Sequence, residues 1–266
     1  MSRTVVISGG GTGIGRATAD VFARAGDRVV LVGRRSDVLK RTADELADAL
    51  ARHPGDDGPR GTGTGEVVTI AADVAETHGA RHVRDVVSER FGRVDVLVNS
   101  AGGNAALGSP AGDGDAVEQA AEHWVGNFRS NVLTAVLLTE ALRDLLTAPG
   151  GRVVFVSSIA AYRGSGSGSY GASKAALHPY MYDLAASLGP TGITVNAVAP
   201  GYVADTEFFR GQLAPERERT LIDQTLNGRA ATPHDIARTM HWLASPDSGH
   251  VTAQIVQVNG GAERGR

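Results

Sequence analysis

The chain has 266 residues, 42% of them hydrophobic, and a net charge of −3. That length suits one large α/β domain with a full core, and a balance so near neutrality gives no reason to expect a nucleic-acid partner. There is no cysteine, which removes disulfides, thiolate nucleophiles and Cys-ligated metals from consideration. No signal-peptide pattern and no long apolar run is visible, so a cytoplasmic location and no membrane association are expected. His78 and His82 stand four apart on a polar, arginine-rich stretch. A surface pair outweighs a metal site there, and no metal is expected.

Apolar runs and amphipathic stretches alternate along the chain. The first run, Thr4–Ser8, passes into Gly9-Gly10-Gly11-Thr12-Gly13-Ile14-Gly15 and a helix over Arg16–Ala25. A second, Arg28–Val32, ends in Gly33-Arg34-Arg35 and is followed by a helix over Asp37–Arg52. His53–Gly65 carries too much Gly and Pro for regular structure and reads as a mobile surface insertion. Val67–Ala71, a helix over Ala80–Phe91, and Val94–Asn99 come next. Gly102–Asp115 is also Gly-rich, but it follows a strand directly, at the end where doubly wound sheets bind ligands. Arg152–Ser157, Thr194–Val198, a helix over Ile236–Ala244, and Gln254–Val258 complete the series. Four runs are near-continuous Val, Ile, Leu or Phe, as strands buried on both faces require. The alternation predicts an α/β fold, a parallel sheet of about seven strands with helices on both faces and right-handed crossovers. Neither repeat nor linker divides it, so one domain over 1–266 is expected.

Of the 26 basic residues only Lys40 and Lys174 are lysines. Lys174 follows Tyr170 by four, which on a helix puts an ammonium and a phenol on one face. A neighbouring positive charge favours the ionised phenol, and such a tyrosine serves as a general acid or base near neutral pH. Arginine is bulkier and spreads its charge, so the lysine has a chemical rationale. A solvated helix face is the competing explanation of that spacing. The glycine run between the first strand and helix lets backbone N–H groups approach a phosphate, with the helix N-terminus adding its partial positive charge.

The spacing Gly9-x-x-x-Gly13-x-Gly15, together with Tyr170-x-x-x-Lys174, resembles the single-domain branch of the short-chain dehydrogenase/reductase family. Further motifs carry the resemblance over nearly the whole chain. They are Asn99-Ser100-Ala101-Gly102, Asp73-Val74, Asn131 after Trp124, Ser157-Ser158, Asn196-Ala-Val-Ala-Pro200-Gly201, Thr232-Pro-His-Asp-Ile-Ala and Val258-Asn-Gly-Gly261. Two positions differ from the family pattern: Ser8 stands for Thr, and Ser100 for a second Asn.

The resemblance implies a Rossmann-type doubly wound sheet and a nicotinamide dinucleotide. Gly9, Gly11, Thr12, Gly13, Ile14 and Gly15 would cradle its phosphates. Asp73 and Val74 would receive the adenine, and Asn99, Ala101, Gly102, Pro200, Gly201 and Val203 would flank the rest. Tyr170 would exchange a proton with the substrate oxygen, and Ser158 would hold that oxygen. Lys174 would lower the Tyr170 pKa and bind the nicotinamide ribose, and Asn131 would orient a water in the relay. Gly33 offers no acid to a ribose 2′-hydroxyl, while Arg34 and Arg35 suit a 2′-phosphate, so NADP(H) is expected over NAD(H).

Three departures stand out. Ser158 lies 12 residues before Tyr170, one short of the commoner family spacing, which Ser157 would restore. Pro179 falls inside the helix that carries Tyr170 and Lys174 and predicts a kink near Ala175. The family's lid threonine position is occupied by Asp205, with Thr206 one later. The lid itself is expected over 203–228, with Phe208 and Phe209 against substrate or anchoring the lid, and a solvated charged run at Glu216–Arg219. The expected activity is NADPH-dependent reduction of a ketone, such as a 3-oxoacyl thioester or a secondary-metabolite ketone, by a homotetramer or homodimer. The alternatives are NADP-dependent alcohol oxidation and a non-catalytic NADP(H)-binding sensor.

Overall fold

The computed structural model describes residues 2–52, 65–107, 114–164 and 166–264. Apart from Gly65, the expected insertion lies outside these residues, as do 108–113 of the Gly-rich loop. Seven strands form one sheet: β1 (Thr4–Ser8), β2 (Arg28–Gly33), β3 (Val67–Ala71), β4 (Val96–Asn99), β5 (Arg152–Val156), β6 (Thr194–Pro200) and β7 (Ile255–Val258). Their order is β3-β2-β1-β4-β5-β6-β7, and every pairing is parallel. The order reverses between β1 and β4, which opens a crevice at their carboxyl ends.

Strand periodicity divides the core in two. On β1, Val6 faces one hydrophobic cluster while Val5 and Ile7 face the other, as alternate side chains must. The first cluster is covered by α3 (Thr77–Phe91), α5 (Thr134–Leu142) and α7 (Leu177–Leu188) through Val83, Leu138 and Met181. The second is covered by α1 (Gly13–Arg24), α2 (Ser36–Arg52) and α9 (Pro233–Leu243) through Phe22, Leu39 and Ile236. Each such fully buried side chain contributes roughly 1.5–3 kcal/mol.

Two of the boundaries that differ from expectation have a clear local cause. β4 begins at Val96, and Val94 makes only an isolated bridge to Leu146. Asp95 separates them, its carboxylate accepting from the Thr4 N–H at 2.7 Å and the Thr147 hydroxyl at 2.9 Å. The helix over Tyr170 and Lys174 is divided at Ala176 into α6 (Gly168–Ala175) and α7. Pro179 has no N–H to return to the Ala175 carbonyl, and Ala176 keeps helical angles of φ −60°, ψ −22°. The expected kink therefore takes the form of a loosened turn.

Candidate active site

A cleft of about 1700 Å³ opens over the carboxyl ends of the central strands. That exceeds the roughly 300–1,000 Å³ typical of one small ligand. Gly9, Gly11, Thr12, Gly13, Ile14, Gly15, Arg34, Arg35, Asp73, Val74, Ala101, Gly102, Ser158, Tyr170, Lys174, Pro200, Gly201 and Val203 all line it. Asn99 and Asn131 do not.

One wall is α6 with the end of β5. Tyr170 and Lys174 are 8% and 5% exposed. Of the two serines, Ser158 reaches Tyr170 and hydrogen-bonds its phenol. Ser157 turns the other way, its hydroxyl 2.7 Å from His178 Nε2. Burial pushes the Tyr170 phenol up to about 12, with the Ser158 hydrogen bond offsetting part of the rise. Burial also brings the Lys174 ammonium down to about 8 while its Nζ donates to the Val156 carbonyl at 2.9 Å. Lys174 lies one helical turn from Tyr170 on the same buried wall, the placement expected of the pair. Desolvation disfavours the phenolate, so burial favours the protonated form of Tyr170.

Helix α4 (Ala116–Phe128) gives way to a π-helical turn at Arg129–Leu133 before α5, and Asn131 sits buried within it. Such turns often mark functional sites because they re-aim side chains. Asn131 Nδ2 donates to the Gly103 carbonyl at 2.8 Å and the Ser173 hydroxyl at 3.1 Å, while Oδ1 accepts from the Gly103 N–H at 3.0 Å. The side chain is therefore engaged in holding the loop after β4 against α6. Gly102 is the space that makes this possible. A Cβ there would run into Asn131 Oδ1 and stand 3.1 Å from Lys174 Nζ. Asn99 donates its amide to the Thr139 hydroxyl at 2.9 Å.

The opposite end is the glycine turn. Gly9 adopts φ +68°, and a Cβ on it would meet Ala101 Cα at 2.9 Å, so the turns after β1 and β4 touch only because it is glycine. At the start of α1, Thr12 makes no side-chain capping bond, and the first turn holds no acid. The helix therefore presents uncapped N–H groups to the cleft.

A family model described as enoyl-(acyl carrier protein) reductase matches residues 9–263. The chain belongs to the short-chain dehydrogenase/reductase family. It is 33% identical over 259 residues to the galactitol 2-dehydrogenase (L-tagatose-forming) of Cereibacter sphaeroides, covering 96% of this chain and 92% of that protein. To the 3-oxoacyl-[acyl-carrier-protein] reductase of Vibrio cholerae it is 28% identical, covering 97% and 96%. The solved structure of a short-chain dehydrogenase/reductase from Mycobacterium ulcerans superposes with a TM-score of 0.84 at 26% identity, over 98% of this chain and 91% of that one.

As a short-chain dehydrogenase/reductase, the protein is an oxidoreductase acting on CH–OH or C=O groups. Members of the family use NAD(P)(H), and the uncapped start of α1 beside a wall of glycines fits a pyrophosphate. Among the described residues no helix is long and apolar enough to cross a membrane.

Other residues shape the short-chain dehydrogenase/reductase cleft, and of these Asn127 carries no motif that marks it. The Ser8 hydroxyl accepts from the Ser100 and Ala101 N–H groups, both at 3.1 Å, so the hydroxyl shared with the family's threonine ties β1 to the loop after β4. Asn127 joins that loop to α6, accepting from Ala105 N–H at 3.0 Å and donating to Ser169 at 2.9 Å. Asp205 takes φ +56°, which lets Thr206 face Gly13 across the cleft and absorbs the one-residue offset in the lid. The charged run expected as a solvated face is α8 (Pro215–Asp223), with no buried residue. Arg34 is exposed and without an ionic partner among the described residues, whereas Arg35 pairs with Glu207 of the lid at 2.8 Å.

Proposed function

We propose that the protein reduces a ketone to a secondary alcohol with NADPH, with Tyr170 delivering the proton. The observation that carries this reading is the buried set of Ser158, Tyr170 and Lys174 on one wall of the cleft. When bound, the dinucleotide supplies the hydride. The glycine turn with α1 would hold its pyrophosphate, Asp73 and Val74 its adenine, Lys174 its nicotinamide ribose, and Pro200, Gly201 and Val203 its nicotinamide. Burial keeps the Tyr170 proton in place through neutral pH, available to the oxygen on which negative charge develops. The Ser158 hydroxyl, beside the phenol, is a preorganised donor to the same oxygen. Asn131 acts at one remove, by fixing the Gly102–Gly103 backbone against α6.

Arg34 supports NADP(H) over NAD(H), because strand β2 ends in Gly33 without an acid and Arg34 has no ionic partner among the described residues. Alcohol oxidation uses the same residues in reverse. The named activity of the galactitol dehydrogenase favours testing that direction too. A homotetramer, or a dimer, is supported by apolar side chains left exposed on α4, among them Trp124, Val125 and Phe128. Light scattering on the purified protein reads that state directly.

The functional test is NADPH oxidation over a panel of 3-oxoacyl thioesters, quinones, sugars and steroid ketones, with Tyr170→Phe in parallel. Turnover by the wild type and its loss in the variant is the expected result. Equal rates in both would remove Tyr170 from the chemistry. Tight NADPH binding with no turnover of any ketone or alcohol would make the protein a sensor.

A further inference from the structure

Ser158 and Tyr170 account for one end of a substrate, its carbonyl. The lid side of the cleft carries a second chemical signal. Arg163, Arg210 and Arg217 all line it. Arg163 is half-buried, and its guanidinium donates to the Ala262 carbonyl at 3.0 Å and to Gln224 Oε1 at 2.7 Å. Both partners are neutral. They fix the fork while leaving its other N–H groups free for a ligand. None of the three arginines forms a salt bridge among the described residues, and the two printed bonds of Arg163 go to uncharged groups.

Three acids on that side already have partners. Glu207 pairs with Arg35 at 2.8 Å, Glu218 accepts from the Tyr202 hydroxyl at 2.6 Å, and Glu216 faces Arg219 at 3.6 Å. Arg210 is held at φ +49°, uncommon for a residue with a Cβ, two places after Phe208. The Phe208 ring stands 5.4 Å from the Tyr170 ring and 5.0 Å from Phe209. Three arginines without a salt bridge among the described residues thus border an apolar-walled cleft.

The geometry points to a ketone substrate that carries an anionic oxygen group, carboxylate or phosphate, bound by Arg163 with Arg210 and Arg217 while its carbonyl lies at Tyr170. This rests on the ketone-reduction reading of the site. Arg163 is the fixed anchor, since a guanidinium fork matches two oxygens at once. Arg210 and Arg217 raise the local potential, and Phe208 and Phe209 contact the apolar stretch between the two ends.

Two substrate pairs distinguish the sources of charge. One is 4-acetylbenzoate against its methyl ester. The other is a 3-oxoacyl coenzyme A against the same acyl group on N-acetylcysteamine, which lacks the phosphates. In at least one pair the anionic member should be preferred in kcat/KM about tenfold to hundredfold, the range for hydrogen bonds to a charged group. Arg163→Gln should collapse that preference. Arg219→Gln, outside the cleft, should leave the preference as it is. Calorimetric titration of the NADPH-loaded protein with the same four compounds gives a readout independent of turnover. If the anionic members bind more tightly but nothing is reduced, the reduction reading fails and the anion site stands. If neither pair shows an anion preference in turnover or in binding, or if Arg163→Gln keeps it, the inference is wrong.

Discussion

The wall that carries Tyr170 and the lid that faces it are built on opposite principles. On the wall, Lys174 is bonded to the Val156 carbonyl, Ser173 donates to the Tyr170 carbonyl at 2.7 Å, and Asn131 ties the neighbouring loop to Ser173. On the lid, Asp205 and Arg210 sit at positive φ, and the side chains of the Arg35–Glu207 pair are 57% and 61% exposed. An exposed pair of that kind is worth no more than about 1 kcal/mol. Proton transfer needs groups held in one geometry and out of water, which packing supplies. A segment held by exposed pairs of this kind opens and closes at smaller cost.

Breaking the wall should therefore cost most. Tyr170→Phe keeps the ring against Phe208 and removes only the hydroxyl. Turnover should fall about 10²- to 10⁴-fold, the usual contribution of a positioned acid or base. The melting temperature should move little. Steady-state rates and a thermal melt on the same preparation check both halves.

On the loosely built side, Arg34→Ala should raise the KM for NADPH about tenfold to hundredfold. The KM for NADH should change far less. Equal effects on the two cofactors would remove the phosphate role.

The pH response sharpens the same contrast, because it belongs to the wall alone. Burial lowers Lys174 from its ordinary 10.5 to about 8. Its ammonium is present in the folded protein below that pH and is lost above it. Since kcat/KM reports the free enzyme, it should be flat below about pH 8 and fall toward tenfold per unit above. Stability should run the other way. Between about 8 and 10.5 the unfolded chain holds a proton that the folded one has released, so stability rises with pH there. Lys174→Met should abolish both trends, as rate profiles and melts across that range would report.

How far the sequence carried this picture depends on what kind of signal each part leaves. The parallel sheet was legible because buried strands such as β1 and β5 are unbroken apolar runs, and six of the seven strands keep their expected starts to within one residue. The glycine turn and the Tyr170–Lys174 pair were legible because both are local spacings. What was not legible depends on side-chain direction. Ser157 and Ser158 are chemically identical in sequence, and only the packing of His178 beside one of them separates their roles. Asn131 and Asn99 match motif positions, yet both spend their amides on neighbours far along the chain. The electrostatics of Tyr170 depend on burial, which spacing alone does not report. Arg163 went unnoticed because no motif marks it. Its position became informative only once Gln224 and Ala262 were seen to hold it.

The smallest expected effect is at the point where the two sides compete. Glu207 occupies Arg35, and a 2′-phosphate bound at Arg34 would draw on the same guanidinium. Glu207→Gln removes the charge while keeping the length of the side chain. It should free Arg35 and tighten NADPH binding, but by no more than about fivefold, because so exposed a pair holds little energy to release. NADH, with no 2′-phosphate, should gain nothing. Fluorescence titration with both cofactors reads the difference. Equal tightening of the two would mean that Glu207 acts by holding the lid shut rather than by competing for Arg35, and a weakening of NADPH would mean that the pair is needed to shape the site.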